Sequence, residues 1–576
     1  MRTAPRLILA ALVLHLLLIQ PNHPAAMTWG ALAVPPLELP VILLGLLVLP
    51  PGAGGRAVRA ALVAVLLGIA ILKAADSVMF TAFGRGFNPV GDLALIEAGL
   101  RLSAGTIGPL WTVAAGTGAL AAVVLIGGLL WWATGAWSRV RVGRRTGRTA
   151  AVAAALCAGL ATAEVGQAMG RWTLPVTVPG AAFTARVGVE RIAMARETLA
   201  DLRAFQRAAA TDPQAGRDGL LSAIDRDVLV IFVESYGRAS LDTPLYAATH
   251  RATLAEAEAR LAGLGLSMRS GLLTAPTRGG QSWLSHATFA NGLWIADQIS
   301  YSAALASGRH TLFHLAADAG FHTAAVMPQI TLDWPDSAVM GFETVLAARD
   351  LGYRGPSFNW VTMPDQYTLA ALDRRLRARP DDRPLFAQVA LVSSHAPWVP
   401  VPDLVAWDAI GDGRIFAAMA SAGDPPAVVW RDPDRVRAQY RKAVDYALRV
   451  VFDYAARHAE DPPLIVVVGD HQAARFVALD ERPDVPIHVI GPPVLVARTE
   501  AWGWTEGLLP APDATPRPMD RMRDLIVEAF STPRAGERGG WSMDRRPRAD
   551  HFSLASGPAA RSLPPKIVRI SRCPDR

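Results

Sequence analysis

The stretch Leu464-Ile465-Val466-Val467-Val468-Gly469-Asp470-His471 sets the reading of the chain. Five consecutive aliphatic residues, four of them β-branched, describe a strand covered on both faces. The run stops at a glycine, a carboxylate and an imidazole. Four other short apolar runs share this texture: Asp227 to Val233, Thr323 to Met327, Leu385 to Val392 and Val485 to Ile490. Helical stretches separate them, which predicts an α/β domain built on a mostly parallel sheet.

In open α/β sheets ligands bind beyond the carboxyl ends of the strands, so the polar residues that end apolar runs are candidates for chemistry. Three runs end that way. The first stops at Glu234-Ser235-Tyr236-Gly237-Arg238, the third at Ser393-Ser394-His395-Ala396-Pro397, and the fourth at Gly469-Asp470-His471. Any one of these could be a turn with a solvated polar residue. Three together point to a site. Glu234, Asp470 and His471 offer a divalent ion three donors, and a hydroxyl would complete a tetrahedral set. The segment Thr277-Arg278-Gly279-Gly280-Gln281-Ser282 supplies one: its glycine pair allows backbone to approach a ligand closely, and Ser282 opens an apolar helical pattern. The plainer reading of Ser282 is an N-cap. Asp365 reads as a helix cap, His286, His314, His322 and His458 read as packed or surface residues, and His488 is either a buried strand histidine or a neighbour of the metal edge.

The rest of the chain has another character. Of 576 residues, 51% are hydrophobic and 19% charged, more apolar than soluble domains usually are. The apolar excess lies before about residue 170, in five runs: Leu7 to Ile19, Trp29 to Pro50, Ala57 to Ala75, Leu110 to Trp132 and Ala150 to Met169. They predict an N-terminal α-helical transmembrane bundle of about five spans. Arg2 and Arg6, then Arg56 and Arg59, then Arg139, Arg141, Arg144, Arg145 and Arg148 fall on one side of those spans. The connections on the other side carry only Arg85 and Arg101. By the positive-inside rule the basic sets are cytoplasmic and everything after Met169 is extracytoplasmic. That holds even if the first run is a cleaved signal peptide.

Four regions follow: a bundle over 1–170, a connector over 171–226, an α/β domain over 227–530 and a poorly ordered tail over 531–576. In the connector, Val187, Ile192, Leu199, Leu202 and Phe205 suggest an amphipathic helix suited to a membrane surface. The net charge of +7 does not imply nucleic acid, since no basic stripe is interleaved with aromatics. Two cysteines, Cys157 and Cys573, can build neither a disulfide framework nor a CxxC site.

Glu234 at a strand end, Ser282 after a glycine-rich turn, His395 and the final Gly469-Asp470-His471 together resemble membrane-anchored transferases of the alkaline-phosphatase/sulfatase superfamily. Lipoteichoic acid synthases and periplasmic phosphoglycerol or phosphoethanolamine transferases share this pattern and likewise have five N-terminal spans. The resemblance implies one Mn or Zn ion held by Glu234, Ser282, Asp470 and His471, with Ser282 as nucleophile and His395 contacting substrate. It implies a membrane phospholipid donor, a glycan or lipid acceptor, and a plasma (inner) membrane location with the catalytic domain outside the cytoplasm. The formylglycine signature of sulfatases is absent: counted from Ser282, Leu284 replaces its proline and His286 its arginine. That favours phosphoryl chemistry on an unmodified serine. Where lipoteichoic acid synthases read glycerol phosphate with His, Asp and Trp-x-Arg, this chain has Met327-Pro328-Gln329 and Trp334-Pro335-Asp336, so Trp334 alone is left for that pocket. Hydrolysis by the same residues, with water resolving the intermediate, is the alternative. A third reading, a catalytically inactive membrane scaffold, predicts no stoichiometric metal.

Overall fold

The computed structural model describes residues 3–83, 85–93, 96, 99–100, 108–175, 178–359, 362–378 and 382–532. Arg2, Arg101, Cys573 and the expected tail from residue 533 onward lie outside them.

Each of the five apolar runs falls on a helix: α1 (Thr3–Ile19), α2 (Glu38–Val48), α3 (Ala53–Phe83), α4 (Pro109–Ser138) and α5 (Arg144–Ala168). Three stretches, Ala53–Thr81, Pro109–Ser138 and Arg144–Ala168, are long and apolar enough to cross a membrane. This marks a membrane protein. The expected second span is shorter than the run from Trp29 to Pro50 suggested. Pro35 and Pro36 interrupt it, and α2 begins only at Glu38. Ala10, Leu14 and Leu18 of α1 pack with Val63 and Leu66 of α3 and with Leu130 and Ala133 of α4. The outward face of α4 is apolar and bare, with Leu110, Trp111, Leu120 and Val124 exposed, as a lipid-facing helix requires.

The connector forms a 27-residue helix, α6 (Phe183–Ala209). Ile192 and Leu199 are exposed, while Thr184, Val187 and Arg191 are buried. The docking is polar. Lys73 Nζ donates to Thr184 Oγ1 (2.8 Å) and to the Leu18 carbonyl (3.0 Å), Arg191 pairs with Asp76 at 2.6 Å, and Ala185 N donates to Glu38 at 2.9 Å. Ions in an apolar bundle persist only when paired this way. At its other end α6 brings Phe205 and Ala209 against Leu284 and Ala287.

The C-terminal part is a mixed α/β domain. Nine strands are present among the described residues: β1 (Val228–Val233), β2 (Ser267–Thr274), β3 (His322–Met327), β4 (Thr344–Ala347), β5 (Leu385–Leu391), β6 (Leu464–Gly469), β7 (Asp484–Gly491), β8 (Thr505–Glu506) and β9 (Arg517–Pro518). Their order is β4-β3-β5-β1-β6-β7-β2-β8, with β9 beside β2. From β4 to β6 the pairing is parallel. At β7 it reverses, so the sheet is mostly parallel, as expected, with an antiparallel region where β7, β2 and β8 pair. Only a four-residue helix, Arg475–Ala478, lies between β6 and β7, too little for the crossover a parallel pair needs.

Alternation along β1 divides the core. Leu229, Ile231 and Val233 face α7 (Pro244–Gly263) and α10 (Pro433–Arg457), through Leu254, Leu261, Tyr440 and Val444. Val228, Val230 and Phe232 face the opposite layer, where α8 (Ser282–Asn291) contributes Phe289 and α11 (Met522–Phe530) contributes Ile526 and Phe530. Helix α9 (Asp365–Leu372) lies in the first layer. Strands β1, β5 and β6 are adjacent and parallel, so their carboxyl ends open at one place.

Candidate metal and nucleophile site

Glu234, Asp470 and His471 come together there, with one donor atom of each within 4.8 Å of the others, all three residues buried. Gly469 makes this approach possible: a Cβ at that position would lie 1.9 Å from the Tyr236 carbonyl oxygen. Asp470 Oδ1 accepts from Ser235 N (2.8 Å) and His471 N (2.6 Å), which fixes the carboxylate. His471 Nδ1 is 3.1 Å from the Gln472 carbonyl and donates to it, so Nε2, 3.2 Å from Glu234 Oε1, is the ring nitrogen left to face the cluster. Ser394 Oγ donates to the Glu234 carbonyl at 2.6 Å, tying the end of β5 to the end of β1.

Ser282 is the first residue of α8 and is not its cap. Gln281 takes the cap position in a left-handed conformation, with no side-chain capping bond. The Ser282 hydroxyl is therefore free to face the cluster, 3.0 Å from Glu234 Oε2 and 3.2 Å from His471 Nε2. The turn before it is held by Gly279 N donating to the Gln472 carbonyl (2.8 Å) and by Thr277 Oγ1 donating to Gly280 O (2.8 Å). Gly280, at φ 141°, adopts a backbone that side chains other than hydrogen rarely permit. The positive end of the α8 dipole points at the same place, which favours an anion.

The electrostatics describe a cation site. Burial pulls the His471 imidazole down, but Asp470 and Glu234 more than offset it and its pKa rises to about 9, so the ring holds a second proton that a bound cation would displace from Nε2. Burial, and then the charge on Glu234, hold the Asp470 carboxyl well above the usual range. Glu234 goes the other way: burial would raise it, and His471 and His395 outweigh that. Two buried carboxylates at this spacing call for compensating positive charge. Two carboxylates, a nitrogen lone pair and a hydroxyl oxygen fit a divalent ion.

Beside the cluster lies a cavity of about 330 Å³, lined by Glu234, Ser282, His286, Trp334 and His395 among others. His395 is exposed at this cavity, its Nδ1 donating to the Ala396 carbonyl at 2.5 Å. Trp334 lines the wall and packs against Phe342.

His286, read from sequence as a packed residue, is both packed and in the site. It sits one turn after Ser282, 4.0 Å from the Phe232 ring centre, and its Nε2 has no hydrogen-bond partner. Burial lowers its pKa to about 4, so the ring is neutral. The i, i+4 spacing from Ser282 was the available signal. His488, by contrast, lies between Ser270 Oγ (2.7 Å) and Tyr236 Oη (3.1 Å), away from the cavity lining. His314 completes a capping box with Thr311, and His458 pairs with Asp373. Asp365 does more than open α9: its Oδ1 accepts from Val392 N and Ser393 N and so holds the end of β5 just before His395.

Residues 226–484 match the family model described as Sulfatase. The chain carries a sulfatase domain of the alkaline-phosphatase superfamily. Enzymes of this superfamily are phosphoester transferases and hydrolases, typically with a divalent metal. No curated protein matches the chain. Solved structures similar to the sulfatase-domain chain include a lipoteichoic acid synthase from Listeria monocytogenes (12% identity, covering 50% of this chain and 71% of that one, TM-score 0.33). Another is a phosphoglycerol transferase from Streptococcus pyogenes in complex with sn-glycerol-1-phosphate (14%, 51% and 74%, TM-score 0.33). A third is the soluble domain of lipooligosaccharide phosphoethanolamine transferase A from Neisseria meningitidis (12%, 55% and 89%, TM-score 0.36).

Proposed function

We propose that this chain transfers a phospholipid headgroup phosphoester, of phosphoglycerol or phosphoethanolamine type, to an extracytoplasmic glycan or lipid acceptor through a covalent ester on Ser282. The observation that carries this reading is the Ser282 hydroxyl, which is left unspent on helix capping and directed at Glu234 and His471 in front of a substrate-sized cavity. In the first step the Ser282 Oγ–phosphorus bond forms and the phosphorus–oxygen bond to the lipid glycerol breaks. Ser282 gives up a proton and the departing lipid alcohol gains one, with His395 placed to carry it through the ring nitrogen not bonded to Ala396. In the second step an acceptor hydroxyl attacks, its proton is released and Ser282 regains one. Glu234, Ser282, Asp470 and His471 would hold one Mn or Zn ion. When bound, such an ion lowers the hydroxyl pKa and offsets charge on the phosphoryl oxygens. The absence of the formylglycine signature supports an unmodified serine.

The membrane arrangement belongs to the same proposal. Five crossings by α1 to α5 would place Arg139 to Arg148 on the cytoplasmic side and the catalytic domain, roughly 227–530, outside the plasma (inner) membrane. The anchor would then hold the active site near the headgroup plane, raising effective concentration for a lipid donor. Ser282→Ala tests the reaction. Turnover of headgroup-labelled phospholipid should fall on the order of 10³-fold or more. Full activity in that variant would refute the mechanism. Release of free headgroup phosphate ester without a modified acceptor would assign the hydrolase reading, and absence of stoichiometric metal in the active protein would remove the proposed ion.

A further inference from the structure

The identity of the headgroup is open to the same physical reading, and this step rests on the proposed function. Besides Gln281, next to Ser282, the cavity wall carries Gln329, two residues after β3, and Gln388, in the middle of β5. Gln388 is 1% exposed and stands on the face of β5 that also carries Phe386 and Ala390. Its Nε2 has only the weak acceptor Met327 Sδ at 3.8 Å, and its Oε1 has no partner. Gln329 Oε1 is likewise buried and unpartnered. A buried amide oxygen without a donor loses its hydration uncompensated, and both of these residues line the cavity that Ser282 faces. A ligand hydrogen-bond donor would satisfy them.

The rest of the lining selects the kind of donor. Among the described residues Glu234 is the only carboxylate lining it, and that group is already bonded to Ser235, Ser282 and His471. A primary ammonium would enter without a counter-charge, which is costly in a desolvated pocket. A quaternary ammonium has no N–H and would leave both oxygens unpaired. A hydroxyl needs only a neutral partner. It also both donates and accepts, so it pairs with an amide whichever way the amide is turned, whereas an ammonium only donates. Tyr301 and Trp334 add apolar faces for the carbon frame of a polyol. We infer that Gln329 and Gln388 select an uncharged, hydroxyl-bearing headgroup, a polyol phosphoester, against ammonium-bearing ones.

The test uses the full chain in detergent micelles with phosphatidylglycerol, phosphatidylethanolamine and phosphatidylcholine, and the deacylated glycerophosphodiesters of each. Phosphatidylglycerol should be preferred about tenfold or more in kcat/KM, and the deacylated compounds should keep that order. Gln388→Leu should cut the phosphatidylglycerol value about tenfold and flatten the preference. Gln388→Glu, which supplies the missing counter-charge, should move the ratio about tenfold towards phosphatidylethanolamine. Metal content, measured for each variant, reports an intact site, and Gln329→Leu repeats the test where a Gln388 variant loses its metal. Equal or better use of phosphatidylethanolamine by the unaltered protein overturns the inference. So does a preference unchanged in these variants, or one confined to the intact lipids. These outcomes leave Ser282 transfer standing. No turnover of any donor and no label on Ser282 would overturn both.

Discussion

Replacing Asp365 separates the charge of a buried carboxyl from the hydrogen bonds it makes. In the folded protein Asp365 Oδ1 accepts from Val392 N at 2.7 Å and Ser393 N at 2.9 Å, while Oδ2 is buried without a partner. Burial is the main cause of its raised pKa, pushed up to about 6 from an ordinary 3.8. A carboxyl displaced upward binds more protons folded than unfolded, so its contribution to stability falls as pH rises between about 4 and 6 and stays low above that. The displacement corresponds to about 3 kcal/mol at pH 8 and to almost nothing at pH 4. Asparagine keeps the Oδ1 acceptor and discards the charge. Asp365→Asn should therefore be more stable than the unaltered protein by about 1–3 kcal/mol at pH 8 and equal to it at pH 4. Asp365→Ala leaves both backbone N–H groups unpaired and should be less stable at pH 4 by about 1–3 kcal/mol. Thermal unfolding followed by tryptophan fluorescence in detergent reads this directly, at about 2 °C per kcal/mol for a domain of this size. An Asp365→Asn shift that is independent of pH, or a lower midpoint than the unaltered protein at pH 8, would refute the reasoning.

Three other outcomes follow from the geometry. Gly469→Ala drives a methyl into the Tyr236 carbonyl at 1.9 Å; the loop bearing Asp470 and His471 must move, and activity should fall at least about 10²-fold, as isothermal kinetics would show. Arg191→Met leaves Asp76 buried without its 2.6 Å ionic partner and should lower the unfolding midpoint, by about 3–5 kcal/mol of lost stability. Chelation of bound metal should also lower the midpoint, by about 2.7 kcal/mol where the ion had been at a hundred times its Kd, with no such effect in His471→Ala.

What could be read in the sequence, and what could not, follows from burial. Strands β1 and β6 are covered on both faces, so they appear as unbroken apolar runs, and Glu234 and Asp470 stand out where the runs stop. Strand β2 reads Ser267-Met268-Arg269-Ser270-Gly271-Leu272-Leu273-Thr274, and its polar residues hide it. They are tolerated because Arg269 pairs with Glu506 at 2.9 Å and Ser270 bonds to His488, partners far away in the chain. Strands β8 and β9 have two residues each, too few for any period. The reversal at β7 depends on the connection from β6, which a list of apolar runs does not contain. In the connector, the apolar spacing of Val187, Ile192, Leu199, Leu202 and Phe205 gave the helix, but not its polar docking through Thr184 and Arg191, because the partners Lys73 and Asp76 lie far away in the chain. Gln388 lay within a run taken as apolar. A glutamine in a strand buried on both faces was itself the sign of a ligand, although its direction into the cavity depends on how β5 sits between β1 and β3.

The central claim is that Ser282 carries the transferred group. Incubating the full chain with phosphatidylglycerol and, separately, phosphatidylethanolamine, each isotopically labelled in its headgroup, quenching in acid and sequencing the modified peptide by mass spectrometry tests it most directly. The account predicts a headgroup phosphoester on Ser282, absent in Ser282→Ala and lost when an acceptor hydroxyl is supplied. A turning-over enzyme whose Ser282 stays unlabelled, or whose label sits on another residue, would contradict it.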